Sequence, residues 1–491
     1  MKKFFTWKPS YKLLAIILTA VLIVALIPLI RLAMYALPWY DDYGYTRYTR
    51  SFMAAYGDTF INAMRGVFFQ VKESWYAWQG TFSSIFLMAL CPIAWGEEYY
   101  RYGVMALIIV FTAASFLCVY ALSSRMFQIK KANSVCIAII TTLVAVEKMY
   151  FPGHGFYWYN GGVHYIGIES FLLFLVAAIV LFMDAKGIIP IVLQVFTTVI
   201  LALIVSGGNF VSTLQGMLVL IALILYCILK YKVRALRLIP VIPTYAFGMY
   251  KNLIAPGNAV RAQYFNGMDP VHAVIKSFPE GMSRMRAFTD VFLFVALLVL
   301  IPIVWNGLEK SKCNFRLPLV FLGFMAGLYF ATFTPNLYGT GIVDLARVLN
   351  ICKMTYQFAL ILGEIYCIGW IKRIATAKKW KLNLDGGYWW VYVLAVLMLV
   401  GFFFKHNMER YEYSSYAAFY DVHSGESAAL YDEYEDRIKE IESQGEVAYV
   451  KPYTRRPWYL RQTDLSEDPT AGENSEMAMY YDKEAIILKS K

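Results

Sequence analysis

Long apolar stretches separated by short polar segments dominate the chain from residue 13 to residue 404. Eleven of them hold enough residues to cross the roughly 30 Å hydrocarbon core of a bilayer as an α-helix. The predicted spans are residues 13–37, 103–122, 133–150, 163–183, 188–206, 210–229, 236–255, 288–305, 317–333, 345–371 and 388–404. The pattern therefore predicts an all-α polytopic membrane protein whose first partner is the lipid bilayer.

Residues 81–95 form a shorter apolar stretch that contains Pro92. If this stretch crossed the membrane, every later loop would change sides. Treated as a re-entrant or juxtamembrane segment, it places the loops rich in lysine and arginine on one side, which the positive-inside rule identifies as the cytoplasm. We therefore predict a multi-pass protein of a bacterial plasma membrane with a cytoplasmic N-terminus and an external C-terminus.

Composition supports this class, because 59% hydrophobic and 16% charged residues exclude a soluble globular chain. The seven cysteines show no CxxC pairing, so neither a disulfide framework nor a zinc site is indicated. The inner loops are short and lack a Rossmann-type glycine signature. We therefore predict no organic cofactor and no nucleic-acid partner.

The end of the chain differs in composition from the rest. Residues 406–491 hold 18 acidic and 10 basic side chains, a net charge of −8 in a chain whose total is +11. Four apolar residues, Leu430, Tyr434, Ile438 and Ile441, recur at the spacing of an α-helix. Residues 447–450 and 485–488 have the pattern of short strands. We predict a multispanning membrane domain over 1–405, with external active-site loops, and a small external acidic α/β domain over 406–491.

On this topology the external loops carry aromatic rings beside amide, imidazole and guanidinium groups. Such a mixture suits a sugar, whose apolar faces stack on rings while its hydroxyls form hydrogen bonds. The candidate substrate-binding residues are Trp78, Gln79, His154, Trp158, Asn160, His164, Asn209, Asn258, Arg261 and Arg347. The alternatives are an interfacial aromatic belt for the rings, a structural hydrogen bond for each histidine and turn closure for Asn209 and Asn258.

Two adjacent carboxylates, Asp41 and Asp42, follow the first predicted span. Ionised groups at the rim of a bilayer are costly unless they are solvated, paired or bound. One of them would act as a general base with the other holding it, or both would hold a divalent cation, Mg²⁺ or Mn²⁺, as oxygen ligands. The alternatives are a solvated helix end and a pair that caps a helix.

The order of these motifs resembles the GT-C superfamily of membrane glycosyltransferases. The resemblance rests on an external Asp-Asp directly after the first span and on the aromatic loop that ends in Trp78-Gln79-Gly80. It implies a GT-C-like fold, a polyprenyl-phosphate-linked sugar donor and an acidic residue in the first external loop that assists the acceptor. That superfamily often has Gly-Arg after the aromatic loop, but Thr81 follows here, so no arginine is carried over at this position.

Three short segments further resemble a family of bacterial multispanning proteins related to that superfamily. They are Asp41-Asp42-Tyr43, the Pro-Gly-Asn…Arg run at 256–261 and Asn474…Ala478-Met479-Tyr480-Tyr481. The resemblance covers most of the chain.

Glycosyl transfer needs a cationic group near the leaving phosphate. Arg261 and Arg347 each follow a glycine-containing turn on a predicted external edge, and both can make bidentate contacts. Arg284 and Arg286 are reserve candidates. A local pair with Asp344, three residues earlier, is the alternative for Arg347.

Together these features predict a glycosyltransferase that uses a polyprenyl-phosphate sugar to modify a cell-surface glycan or polymer on the outer face. The alternative is a transporter or flippase of a lipid-linked or small polar substrate, since Glu169, Asp290 and Glu364 lie within or beside predicted spans. The lack of a recognisable internal repeat argues against secondary transport. A third hypothesis, a scaffold that presents the acidic tail, leaves the polar loops without a role.

Overall fold

The computed structural model describes residues 10–380, 389–405, 412–460 and 463–489, and these residues are mostly helical. The helices of the membrane part are Tyr11–Ala33, Asp41–Tyr45, Arg47–Tyr56, Phe60–Ala77, Phe82–Ala89, Tyr100–Ala121, Lys131–Glu147, Tyr159–Gly162, Ile168–Phe182, Ile188–Ser206, Phe210–Tyr231, Val241–Leu253, Pro256–Ala262, Pro270–Phe288, Val291–Gly307, Pro318–Ala331, Thr334–Gly339, Ala346–Ala377 and Trp389–Lys405. Residue 388 of the last predicted span and the predicted domain boundary at 406 lie outside the described residues.

Among the residues that the structure describes, seven helical segments are long and apolar enough to cross a membrane. They are Tyr11–Ala33, Glu97–Met126, Tyr159–Phe182, Ile188–Ser206, Phe210–Leu238, Val291–Lys310 and Pro318–Gly339. Each coincides with one of the predicted spans, and together they support a multi-pass membrane protein.

The other four predicted spans coincide with helices that are shorter or carry more charge. These helices are Lys131–Glu147, Val241–Leu253, Ala346–Ala377 and Trp389–Lys405. The count of eleven spans therefore stays a prediction.

The short apolar stretch at 81–95 forms the eight-residue helix Phe82–Ala89 and the 3₁₀ turn Pro92–Ala94. An eight-residue α-helix is about 12 Å long, so this segment is too short to cross about 30 Å of hydrocarbon as a helix. Two further helices precede it, Arg47–Tyr56 and Phe60–Ala77, which pack against each other. These short elements gather at the end of the bundle where Tyr100–Ala121 begins.

Helix Tyr100–Ala121 lies at the centre of the packing. It contacts Lys131–Glu147 on one side and Ile168–Phe182 on the other, and its Tyr100 and Phe111 are fully buried. A π-helical turn, Leu122–Met126, follows it. Because an α-helix rises about 1.5 Å per residue, this element joins two ends of the bundle roughly 35 Å apart.

The C-terminal segment folds from the helices Ser414–His423, Glu426–Ser443 and Gly472–Tyr480 and two strands. The strands, Val447–Val450 and Ala485–Leu488, pair in parallel, with Val447 opposite Ala485. Both strands and the long helix occur where the sequence pattern predicts them. That the segment forms a separate external domain stays a prediction.

This segment packs onto the end of the bundle where Tyr100–Ala121 begins. The Tyr480 hydroxyl donates to the Ile93 carbonyl at 3.1 Å, and the Tyr434 hydroxyl donates to the Glu97 carboxylate at 2.8 Å. Asn474, part of the late sequence motif, accepts from the backbone N–H of Ser466 and donates to the carbonyl of Ile486, each within 2.8 Å. The motif therefore organises the segment internally and sets how it meets the bundle.

Candidate functional site

A cavity of about 460 Å³ opens at this end of the bundle, between the membrane part and the C-terminal segment. It is lined by Trp39, Tyr40, Asp41, Tyr45, Trp78, Gln79, Met88, Trp158, Asn160, Gly161, His164, Tyr165, Arg261, Phe265, Arg347, Thr463 and Glu473. Eight of the twelve predicted site residues are among them. Residues from six distant parts of the sequence thus meet in one place.

Asp42 does not line the cavity, since its side chain is fully buried behind it. One carboxylate oxygen accepts from the Trp39 backbone N–H at 2.9 Å and from the Tyr100 hydroxyl at 2.7 Å. The other accepts from the Asn160 backbone N–H at 2.9 Å. Burial raises the pKa of Asp42 to about 7, while these three donors oppose that rise. Asp42 thus ties three parts of the chain together at the start of helix Asp41–Tyr45.

Asp41 turns toward the cavity. Its carboxylate accepts from the Trp158 indole N–H at 3.2 Å, and the Asn160 side-chain amide donates to its backbone carbonyl at 2.7 Å. Burial and repulsion from Asp42 raise the pKa of Asp41 to about 8, and Arg347 opposes this rise. A carboxyl group with a pKa near neutrality can take up or release a proton under working conditions.

The backbone before Asp41 is strained. Tyr40 has a φ of 47°, a left-handed conformation that costs energy for any residue with a Cβ. This residue directly precedes the first turn of helix Asp41–Tyr45.

Arg261 and Arg347 supply the positive charge of the cavity. The Arg261 guanidinium lies 5.4 Å from the centre of the Trp78 ring, and that of Arg347 lies 5.5 Å from the centre of the Trp158 ring. Asp344 forms its ion pair with Arg284, so the alternative pairing with Arg347 is not made. Within the described ranges, neither cavity arginine is paired with a carboxylate. Both guanidiniums are therefore available to an anionic ligand. Arg286 is exposed and does not line the cavity.

The Trp78-Gln79-Gly80 loop is held by contacts that the sequence does not reveal. Asn258 accepts from the Gly80 backbone N–H at 2.9 Å and donates to the Asn252 carbonyl at 2.8 Å. A Cβ atom at Gly80 would overlap that same carbonyl oxygen, so only glycine permits this close approach. Asn258 therefore positions the loop and does not line the cavity.

Three polar atoms on the cavity wall find no hydrogen-bond partner in the described part of the chain: Gln79 Oε1, Asn160 Oδ1 and His164 Nδ1. Gln79 and Asn160 are buried, with 4% and 0% of their surface exposed. Buried polar groups are normally hydrogen-bonded, so such atoms in a cavity are suited to bind a ligand. The Asn160 amide N–H₂ group is already engaged by Asp41, which directs its oxygen away from that contact.

His154 and Asn209 lie outside the cavity lining. The His154 ring packs against Trp39 and Trp158, with ring centres 5.6 and 5.4 Å apart, and burial lowers the pKa of His154 to about 4. Asn209 accepts from the Ser212 backbone N–H at 2.9 Å and so caps helix Phe210–Tyr231. His154 therefore packs behind the aromatic wall of the cavity, and Asn209 stabilises the N-terminus of the helix.

The C-terminal segment contributes Thr463 and Glu473, which sequence reasoning did not identify. The Trp39 indole N–H donates to the Thr463 carbonyl at 3.2 Å, which closes one side of the cavity. Glu473 directly precedes Asn474, so the late motif marked its neighbourhood without indicating that Glu473 lines the cavity. Thr463 and Glu473 lie more than 400 positions from Asp41 in the sequence. Local sequence patterns do not predict that residues so far apart line the same cavity.

The residues present do not fit a cation held by both Asp41 and Asp42. Both carboxylate oxygens of Asp42 already accept hydrogen bonds, and Asp42 does not line the cavity. Over the described ranges, no group of three or more His, Cys, Asp or Glu side chains is arranged to hold a metal ion. The divalent cation stays a prediction.

The three acidic residues that suggest transport do not line this cavity. Glu169 is buried and accepts from the Ser212 hydroxyl at 2.7 Å. Asp290 caps helix Val291–Gly307 and lies 3.4 Å from the Lys353 ammonium. Glu364 has a buried carboxylate oxygen with no partner among the residues that the structure describes. The three are held in separate surroundings.

No family model, curated protein or solved structure matches the chain. The case for a function therefore rests on the residues that surround the cavity.

Proposed function

We propose that the chain is a GT-C-type glycosyltransferase that moves a sugar from a polyprenyl-phosphate carrier to a glycan or related polymer on the outer face of a bacterial plasma membrane. One observation carries the proposal: the Asp41 carboxylate shares a cavity with the unpaired guanidiniums of Arg261 and Arg347. A proton acceptor and two cations are the groups that transfer from a phosphate leaving group requires.

In the proposed reaction the acceptor hydroxyl lies against Asp41. Its oxygen forms a bond to the anomeric carbon of the sugar while the bond from that carbon to the phosphate oxygen breaks. The hydroxyl proton passes to the Asp41 carboxylate, and the phosphate leaves with the electron pair. Arg261 and Arg347 stabilise the negative charge that develops on the phosphate.

The walls of the cavity suit the sugar itself. The rings of Trp39, Trp78 and Trp158 offer apolar faces for stacking. The unpartnered oxygens of Gln79 and Asn160 are hydrogen-bond acceptors for sugar hydroxyls. A volume of about 460 Å³ falls in the range of small-molecule sites.

The test is transfer by the full chain, purified and placed in lipid, from a panel of radiolabelled polyprenyl-phosphate sugars to candidate acceptor glycans. Wild type should turn over at least one donor, and Asp41→Asn should reduce the rate at least about 100-fold, since general bases contribute that much. Glu364→Gln is the matched control, because it neutralises a carboxylate outside the cavity, and its rate should stay within about twofold.

Two results would contradict the proposal. One is the absence of turnover with every donor by folded wild type in the presence of acceptors. The other is unchanged transfer by Asp41→Asn. Uptake of a labelled substrate into vesicles that is lost in Glu364→Gln would instead favour transport.

A further inference from the structure

A second cavity, of about 610 Å³, lies at the opposite end of the bundle. Helix Tyr100–Ala121 begins beside Asp42 and continues through the turn Leu122–Met126 to Arg125, which lines this cavity. The rise of a helix places Tyr100 and Arg125 roughly 35 Å apart. The second cavity is therefore separate from the proposed transfer site.

Positive charge dominates the second cavity. Four cationic side chains line it, Arg125, Lys230, Lys232 and Arg234, against the single carboxylate of Asp184. These residues carry a net charge of +3. A concentration of like charge in a concave surface attracts anions more strongly than the same charges on a flat surface.

Among the described residues, only one of the four cations forms an ion pair with a carboxylate. Arg234 forms an ion pair with Asp184 at 3.3 Å. Lys230 donates to the Arg125 carbonyl at 2.9 Å and to the Tyr226 hydroxyl at 2.6 Å, both uncharged acceptors. Over the described residues, Arg125 and Lys232 form no ion pair. Three cations thus lack a compensating carboxylate within the structure described.

An apolar strip runs along the chain beside these cations. Its members are exposed large side chains on the end of helix Phe210–Tyr231 and the turn that follows: Leu225, Ile228, Leu229, Val233 and Leu236. Leu229 and Val233 have 82% and 77% of their surface exposed. The strip belongs to a segment that is apolar and long enough to cross a membrane.

We propose that this cavity binds the phosphate headgroup of an anionic lipid, whose acyl chains lie along the strip from Leu225 to Leu236. The uncompensated cations match the phosphate, and the strip matches the chains. A soluble anion would contact the cations alone, whereas a lipid would contact both the cations and the apolar strip beside them. The proposal is independent of the proposed glycosyl transfer.

The experiment is native mass spectrometry of the full chain in detergent, titrated with phosphatidylglycerol or with phosphatidylcholine of the same acyl chains. Wild type should retain phosphatidylglycerol in preference to phosphatidylcholine. The double variant Arg125→Gln, Lys232→Gln should bind it roughly 30-fold more weakly, because each cation near a lipid headgroup contributes about fivefold. Lys131→Gln, Lys310→Gln is the matched control at the same end outside the cavity lining, and its affinity should stay within about twofold.

Three outcomes would overturn the proposal. Equal retention of the two lipids would show that the charge is not recognised. Equal weakening in both double variants would point to general surface charge. Displacement of phosphatidylglycerol by millimolar inorganic phosphate would identify a site for soluble anions. All four substituted side chains are exposed, so unchanged circular dichroism is expected in every variant.

Discussion

The two cavities lie at opposite ends of one helical bundle and combine charge in different ways. The cavity beside Asp41 sets the carboxylates of Asp41 and Glu473 against two guanidiniums between tryptophan rings. The cavity beside Arg125 gathers exposed cations around one carboxylate. Burial shifts the pKa of a group toward values useful for proton transfer, whereas exposed charge attracts ions and is screened by salt. The first arrangement therefore suits proton transfer, and the second suits the attraction of anions.

The two cavities can be compared directly by removing one arginine from each. Arg347→Gln should slow sugar transfer about 100-fold, since loss of one group that stabilises transition-state charge has an effect of this size. Arg125→Gln should leave the rate within about twofold. The measurement is the transfer rate of each purified variant in identical lipid. Similar losses in both variants would remove the functional distinction between the cavities.

The same contrast holds between the neighbours Asp41 and Asp42. Asp42→Asn should lower the free energy of unfolding by about 1–3 kcal/mol, because its amide N–H₂ group would face a donor and leave a buried group unsatisfied. Asp41→Asn should not destabilise the fold, and its stabilising effect should grow from about pH 4 to about pH 8 and stay constant above that. The folded pKa of Asp41 is raised, so the stability that this carboxyl confers at low pH is lost as the pH rises through about 8.

Denaturant unfolding of the protein in matched micelles, followed by tryptophan fluorescence at pH 5 and pH 9, measures both effects. A larger loss of stability in Asp41→Asn than in Asp42→Asn would reverse the assignment of a structural role to Asp42.

The pH dependence of transfer should report the protonation of Asp41. A general base acts in its deprotonated form, so kcat/KM should rise about tenfold per pH unit below pH 8 and level off above it. Arg347 lowers the pKa of Asp41, and its removal should move the midpoint to higher pH. A flat profile from pH 6 to pH 9 would argue against Asp41 as the base.

Local sequence patterns predicted the elements but not the division of roles within the site. The strands Val447–Val450 and Ala485–Leu488 were predictable because their apolar residues are consecutive in sequence. The burial of Asp42 depends on Tyr100 and Asn160, which lie 58 and 118 positions further along the chain. The local periodicity of apolar residues does not predict hydrogen-bond partners so far apart in the sequence.

Sequence also could not identify the contribution of the C-terminal segment to the cavity. Its acidic composition suggested a solvated appendage, yet Tyr480 and Tyr434 bind to the bundle and Glu473 reaches the wall. The count of spans was harder still, because Ala346–Ala377 combines charged side chains with a buried helical core. Tertiary packing answers the first question, and the count of eleven spans stays a prediction.

Glu473 offers the finest comparison, since it tests whether the C-terminal segment takes part in recognition. Its carboxylate lines the cavity, and we expect it to accept a hydrogen bond from the acceptor glycan. Glu473→Gln should raise the KM for the acceptor about fivefold with kcat unchanged, because one such bond contributes about 1 kcal/mol.

Glu467→Gln is the control, as Glu467 is exposed in the same segment and does not line the cavity. If both variants kept the wild-type KM, the segment would close the cavity without contacting the acceptor; a fall in kcat alone would instead link Glu473 to the chemistry at Asp41.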